Sequence, residues 1–245
     1  LLTLVFVVKT AFRGGFYARN KMRTIVYVDG FNFYHGLVKR SGYKWLDLYK
    51  LFEEQLLPIR SRESQLIQVK FFTAEIKAKF ASRGELAHQA QQAYHRALVQ
   101  IYGDNLQIIK GYYSERQECA MTFNEGHPPS KTDRTTVWKL EEKQTDVRMA
   151  LEMYRDAIRG EAEQLVLCTN DSDMIPPIEM IKADRPELKI GIVVPREQDT
   201  SRVISSLASL GDWSLPYVSY EALRLALLPD KVPTRRKPIL KPNHW

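Results

Sequence analysis

Leu165-Val166-Leu167-Cys168-Thr169-Asn170-Asp171-Ser172-Asp173 is an apolar run that breaks abruptly into polar residues and acids, and Met174 to Lys182 then takes up helical spacing. A short, unbroken apolar run reads as a strand buried on both faces, as in parallel sheets covered by helices. Carboxylates at the C-terminal edge of such a strand face the crevice where open α/β sheets bind ligands, because loops there present side chains without disturbing the core. Asp29 stands in the same relation to Thr24-Ile25-Val26-Tyr27-Val28. A third acid, Asp146, opens the helical stretch that leads into the Asp171 strand.

Outward from these anchors, strands and helices alternate. Asn32 to Lys39 reads as one or two helical turns, and Asp47 caps a helix carrying Leu48, Leu51, Phe52, Leu56 and Leu57 that Pro58 stops. Gln65–Ala74 is a second strand, rich in branched and aromatic residues. Ser82-Arg83-Gly84-Glu85 has capping-box spacing ahead of a helix that runs to Gly103, and Leu106–Tyr113 is a third strand. Between Ser114 and Val137 the pattern dissolves into polar and turn-forming residues, which reads as an exposed insertion or loop. Thr145 reads as the N-cap of a helix ending near Gly160, Leu188–Val194 as a fifth strand, and Ser201–Leu210 and Tyr220–Leu228 as helices. This alternation predicts an α/β fold: a three-layer α/β/α sandwich around a mostly parallel sheet of about five strands.

The domain is expected over residues 22–228, with the insertion at 114–137 inside it and a basic, proline-rich tail at 229–245. Residues 1–21 begin without methionine and resemble a signal h-region, but lack a basic n-region and a small-residue cleavage site. They read as a non-native or disordered leader, from an over-extended translation start in the first case, with the domain beginning near Met22. Hydrophobic residues at 44% and charged residues at 27% describe a globular chain, and 36 Lys and Arg against 29 Asp and Glu leave a net charge of +7. That excess suits a polyanionic partner or simply aids solubility; charge alone does not choose. Two cysteines, Cys119 and Cys168, give neither a disulfide framework nor zinc-ligand spacing. No apolar stretch approaches the ~20 residues needed to span a bilayer, so the expectation is a soluble, cytoplasmic protein without a membrane partner.

Acids gathered within a few ångströms repel one another unless a proton or a cation neutralises them, and oxygen-only ligands favour Mg²⁺ or Mn²⁺. Asp29 and Asp171 belong to strand edges, and a helix that precedes a parallel strand starts on the same rim, which brings Asp146 towards them. Each acid has a plainer reading as well. Asp29 before Gly30 can end a strand in a turn, Asn32 can cap a helix, and Asp146 can favour a helix dipole by ~0.3–1 kcal/mol. Asp171 is the better direct ligand of its pair, with Asp173 acting through water or as a cap.

Val26-Tyr27-Val28-Asp29-Gly30-Phe31-Asn32 resembles the opening motif of NYN-domain proteins, and Lys143-Gln144-Thr145-Asp146-Val147 is similar to their second motif. Thr169-Asn170-Asp171-Ser172-Asp173 resembles the third, and the ordered trio spans residues 23 to about 195. The resemblance is to the PIN-like superfamily, closest to its LabA-like bacterial branch. It implies a PIN-like fold and metal-dependent ribonuclease activity, with Asp29, Asp146, Asp171 and Asp173 as the acidic cluster and Asn32 as the polar residue after the first acid. The insertion and the tail lie outside it.

The leading expectation is therefore a Mg²⁺- or Mn²⁺-dependent ribonuclease acting on single-stranded RNA, with no stable small-molecule cofactor and with homodimerisation open. Lys77, Lys79 and Arg83, and then Lys131, Arg134, Lys139 and Lys143, are candidate phosphate contacts, and Phe80, Trp138, Tyr112 and Tyr113 candidate stacking platforms. Solvated lysines and core aromatics are the plainer alternatives. His88 and His95, seven apart on one helix, read as surface residues. The rival functions are an RNA-binding adaptor that does not cut and a metal-dependent phosphatase or phosphotransferase.

Overall fold

A computed structural model describes residues 21–39, 41–198 and 206–245. The expected leader, Lys21 apart, and the first half of the expected 201–210 helix lie outside the described residues.

The buried apolar runs become strands β1 (Met22–Asp29), β2 (Ser64–Ala74), β3 (Leu106–Met121), β5 (Gln164–Cys168) and β6 (Lys189–Val193). β4 (Arg134–Lys143) and β7 (Trp213–Leu215) complete a seven-stranded sheet of order β4-β3-β2-β1-β5-β6-β7. Every pair is parallel except β3/β4. The expected mostly parallel α/β sheet is thus present, with two more strands than the sequence disclosed.

Alternation along each strand sends side chains into two cores, as pleating requires. Val26, Val28, Val166 and Cys168 pack with Trp45, Phe52, Tyr94 and Leu98 on one face. Ile25, Tyr27, Leu165 and Leu167 pack with Met149, Met153 and Ile178 on the other. The first face is covered by α1 (Gly30–Phe33, widening through Tyr34–Val38), α2 (Leu48–Lys50, widening through Leu51–Leu56), α3 (Leu57–Arg60), α4 (Glu85–Tyr102) and α7 (Tyr220–Leu225). The second face is covered by α5 (Thr145–Arg159) and α6 (Ile175–Asp184).

Several local expectations are corrected. Asp47 does cap α2, accepting the Lys50 amide at 3.0 Å, but Pro58 sits in the first turn of α3 instead of stopping the helix. Gly84, at φ +51°, precedes α4 without a side-chain cap, so the capping box does not form. Residues 114–121 and 134–137 are not a loop. They pair in a ten-rung antiparallel hairpin from Tyr112↔Lys143 to Met121↔Arg134. β2 ends opposite Gly111, so this hairpin leaves the sheet as a two-stranded arm. With much of both its faces in solvent, the arm carries no burial periodicity for a sequence reading to find.

The basic stretch after residue 229 is also ordered. β8 (Lys231–Val232) and β9 (Ile239–Leu240) form a small ribbon, and the Trp245 ring packs on Trp45 and Tyr94 with centroids 6.2 and 5.7 Å apart.

His95 of α4, expected at the surface, is buried against Phe71 of β2. Burial first, and then the nearby Lys110, lower its pKa to about 4, opposed by Glu75. The unfolded chain regains an ordinary histidine near 6.5 and binds the proton more readily. Stability from this group is complete above about pH 6.5 and falls as the pH drops towards 4, by roughly 3 kcal/mol in all. His95→Phe also removes a buried ring nitrogen, Nδ1, that has no partner. Denaturant unfolding between pH 7 and 4 should show the parent losing stability relative to this variant; parallel curves would refute the assignment.

Candidate metal centre

Chain order places β2 and β3 on one side of β1 and β5 to β7 on the other, so the β1/β5 boundary is the point where the winding reverses. Crevices of doubly wound sheets open at such points. β1 and β5 run in register as far as Val28↔Cys168, which makes Asp29 and Thr169 the next residues on adjacent strands.

Asp29 is nearly sealed, at 2% exposure, and its carboxylate is fixed from three directions. Oδ1 accepts the Asn32 amide at 3.0 Å, while Oδ2 accepts the Asn32 side-chain amide at 2.6 Å and the Thr169 hydroxyl at 2.8 Å. Asn32 therefore orients Asp29 and stands in the first turn of α1, whose N-cap is Asp29 itself. The same Thr169 Oγ1 accepts the Asp171 amide at 3.1 Å, so one hydroxyl ties both strand-end acids together. Asp171 in turn accepts the Asp173 amide at 2.9 Å.

Asp146 reaches the same rim from the arm. β4 ends opposite Tyr112, and Gln144 takes a left-handed φ of +74° to turn the chain into α5. Gln144 is thus the residue at the cap, and Thr145, expected there, is the first helical residue, its hydroxyl donating to Glu142 Oε1 at 2.5 Å. A side chain at Gly111 would lie 2.4 Å from both the Lys143 carbonyl and Thr145 Oγ1. Only glycine lets the arm and the helix start approach this closely.

One carboxylate oxygen from each of Asp29, Asp146 and Asp171 lies within 4.8 Å of the other two. The electrostatic consequence falls on Asp146, whose pKa rises to about 6 through partial burial and then the charges of Asp29, Asp171, Glu142 and Asp173. Glu142, which the sequence reading passed over, is itself raised by burial and by Asp29. Tyr113 donates to it at 3.4 Å. The one available signal for Glu142 was its place four residues before Asp146; for Thr169, it was a hydroxyl ending an apolar strand. Asp173 is exposed and outside the three-carboxylate group, contributing charge and a backbone amide.

The donor set fits a hard divalent cation. It consists of carboxylates alone, crowded enough that one is pushed towards protonation, and a cation relieves that repulsion.

The candidate phosphate contacts divide into two groups. Lys139 pairs with Glu118 at 3.2 Å, Lys143 with Glu141 at 3.1 Å, and Arg134 bonds the Cys119 carbonyl, so the arm cations are largely engaged within the arm. Among the described residues Lys77, Arg83 and Lys131 enter no ion pair, Lys131 lying near the arm tip. Lys79 sits 3.9 Å from the Trp138 ring centroid, a cation–π contact linking the segment before α4 to the arm.

A mostly parallel α/β sheet with acids gathered at its switch point is consistent with a PIN-like architecture. The chain belongs to the NYN-domain family, whose profile matches residues 23–209. It is similar to the 6-hydroxy-3-succinoylpyridine 3-monooxygenase HspA of Pseudomonas putida (strain DSM 28022 / S16), with 34% identity over 91% of this chain and 75% of that protein. Among solved structures, a protein of unknown function from Vibrio parahaemolyticus RIMD 2210633 aligns over 85% of this chain and 98% of its own, at 17% identity and a TM-score of 0.42. No helix among the described residues is long and apolar enough to cross a membrane.

Proposed function

We propose that this protein is a metal-dependent ribonuclease of the LabA-like branch that hydrolyses phosphodiester bonds of single-stranded RNA. The observation that carries the reading is the convergence of Asp29, Asp146 and Asp171 from three separate parts of the chain onto one rim. A structural protein has no use for that repulsion. These three side chains would hold Mg²⁺ or Mn²⁺, which supplies Lewis-acid polarisation of a phosphodiester and lowers the pKa of water.

The chain's own contribution is orientation. Asn32 and Thr169 lock the Asp29 carboxylate in one pose, and Thr169 transmits that pose to Asp171. Asp173 adds negative charge at the edge without joining the ligand group. Lys77, Lys79 and Arg83 hold the flanking backbone, so RNA binding weakens as salt rises.

Incubation of end-labelled and internally labelled RNA with Mn²⁺, Mg²⁺ or chelator tests this reading. Shortened products are expected with metal and none with chelator. Intact RNA in every arm, with tight binding retained, would instead favour the adaptor. Phosphate release from small monoesters, with RNA left intact, would favour the phosphatase.

A second reading comes from the Pseudomonas relative, whose name describes oxygenation of a hydroxylated pyridine acid. An aspartate-only donor set suits Mg²⁺ or Mn²⁺ better than a redox-active iron, for which imidazole ligands are the usual partners. Consumption of oxygen, with hydroxylation of 6-hydroxy-3-succinoylpyridine when an electron donor is supplied, would establish the second reading for this chain.

A further inference from the structure

Directly beside the aspartate cluster a cavity of about 230 Å³ enters the first core face. Gly30, Tyr113 and Glu142 belong to its wall and to the surroundings of the cluster, so the two spaces adjoin. The volume falls below the ~300–1,000 Å³ of sites for drug-sized ligands, which leaves room for a single ring system.

The lining has three properties of a ligand site. Its walls are aromatic: Phe71, Tyr94 and Trp245 are inside, and Phe31 and Tyr34, at 47% and 39% exposure, complete them. It contains polar atoms without partners, since His95 Nδ1 and His244 Nε2 are both buried and unbonded. His95 is itself only 6% exposed, and an unmade hydrogen bond at such a site is unfavourable until something supplies it. Finally, Lys44 and Arg83 line it, enter no ion pair among the described residues, and lie close enough to His244 to add to the lowering of its pKa by burial.

We infer that this cavity is a base-recognition pocket, taking one unpaired nucleobase of the RNA between its aromatic walls while Lys44 and Arg83 hold the attached phosphate; this rests on the ribonuclease reading. An aromatic ring with an anionic group nearby is what the lining selects. A small aromatic acid shares that chemistry, but two features favour a nucleotide. The cavity abuts the cluster, so a base seated in it delivers its own backbone to the acids. Lys77 and Lys79 also belong to the segment between Ile76 and Ser82, both of which line the cavity, so further cations stand beside it that a chain of phosphates can use and a lone carboxylate cannot. His95, neutral in this setting, stands in the cavity wall with its Nδ1 covered and unpartnered, and a turn of its ring would bring that nitrogen to a base edge, the means by which unpaired bases are read.

The test uses the full chain in chelator, so that binding is read without cleavage. The four nucleoside 5′-monophosphates, ribose 5-phosphate and nicotinate are titrated by calorimetry and protein-observed NMR. At least one nucleotide should bind saturably and about tenfold tighter than ribose 5-phosphate, because ring stacking is lost without the base. Arg83→Met should weaken that nucleotide about fivefold or more. Ala87→Trp, which fills the cavity from its wall, should abolish binding and provides a second route if the first variant folds poorly. Equal binding of ribose 5-phosphate, binding of nicotinate alone, or no saturable binding would each overturn the inference. RNA cleavage is scored separately with Mn²⁺: cleavage without nucleotide binding removes only the pocket, and nucleotide binding without cleavage removes only the nuclease.

Discussion

Asp29→Asn is expected to reduce Mn²⁺-dependent RNA cleavage by on the order of a hundredfold or more while leaving the protein folded. The substitution exchanges one carboxylate oxygen for an amide nitrogen at almost constant volume. The hydrogen bonds can be rebuilt: Oδ1 still accepts the Asn32 amide, and rotation of the Asn32 side chain turns its carbonyl towards the new donor. The Thr169 hydroxyl can accept where it formerly donated. What cannot be rebuilt is the charge, because an amide is a poor ligand for a hard cation whose neighbours are two carboxylates.

Removing one of the crowded charges also relieves the repulsion that raises Asp146, so the melting temperature without metal should stay level or rise. The pairing of lost activity with unchanged or greater stability separates a functional acid from a structural one. Calorimetric titration with Mn²⁺ and cleavage of labelled RNA are the measurements. Parental metal affinity and parental cleavage in the variant would end the case for this cluster.

Asp29 and Asp171 were legible because they stand at or just beyond the ends of the most recognisable elements in the chain. Val26 to Val28 and Leu165 to Cys168 are fully buried, so their apolar runs are unbroken and the residue after each is fixed at the sheet edge. The arm was illegible for the opposite reason. Trp138 and Tyr112 are half exposed and lie among Glu and Lys that pair within the arm, so no face is apolar enough to announce a strand. β7 has three residues, too few for any period, and is held by its Trp213 indole, which donates to Gln164 Oε1 at 2.9 Å and covers Gly191.

Proline and basic residues masked the folded part of the tail, where Val232 and Trp245 provide the anchors. The cavity and the role of Thr169 depend on contacts between distant segments. No local pattern encodes either.

Lys70→Met should destabilise the protein by about 3–5 kcal/mol, which for a chain of this size lowers the melting temperature by roughly 6–20 °C. Lys70 stands in the middle of β2 between Val69 and Phe71, only 3% exposed, where an unpaired ammonium would be intolerable. Its Nζ meets Asp156 at 2.5 Å and Glu152 at 2.9 Å on α5, and lies 5.8 Å from the Tyr27 ring centroid. Tyr27 donates to the same Asp156 oxygen at 2.6 Å.

Methionine keeps most of the stem's volume but leaves Asp156 buried with one neutral donor and the more distant Arg155 at 3.8 Å. If the orphaned charge is the cause, Lys70→Met combined with Asp156→Asn should recover much of the loss, since asparagine still accepts from Tyr27. If lost packing were the cause, the second change would add to the damage. The pair matters to the site because it pins the C-terminal half of the helix whose first turn carries Asp146, with Asp156 about 15 Å away from that acid along the axis. A metal affinity that falls in the single variant and returns in the double variant would show that the buried ion pair holds Asp146 in place from the far end of α5.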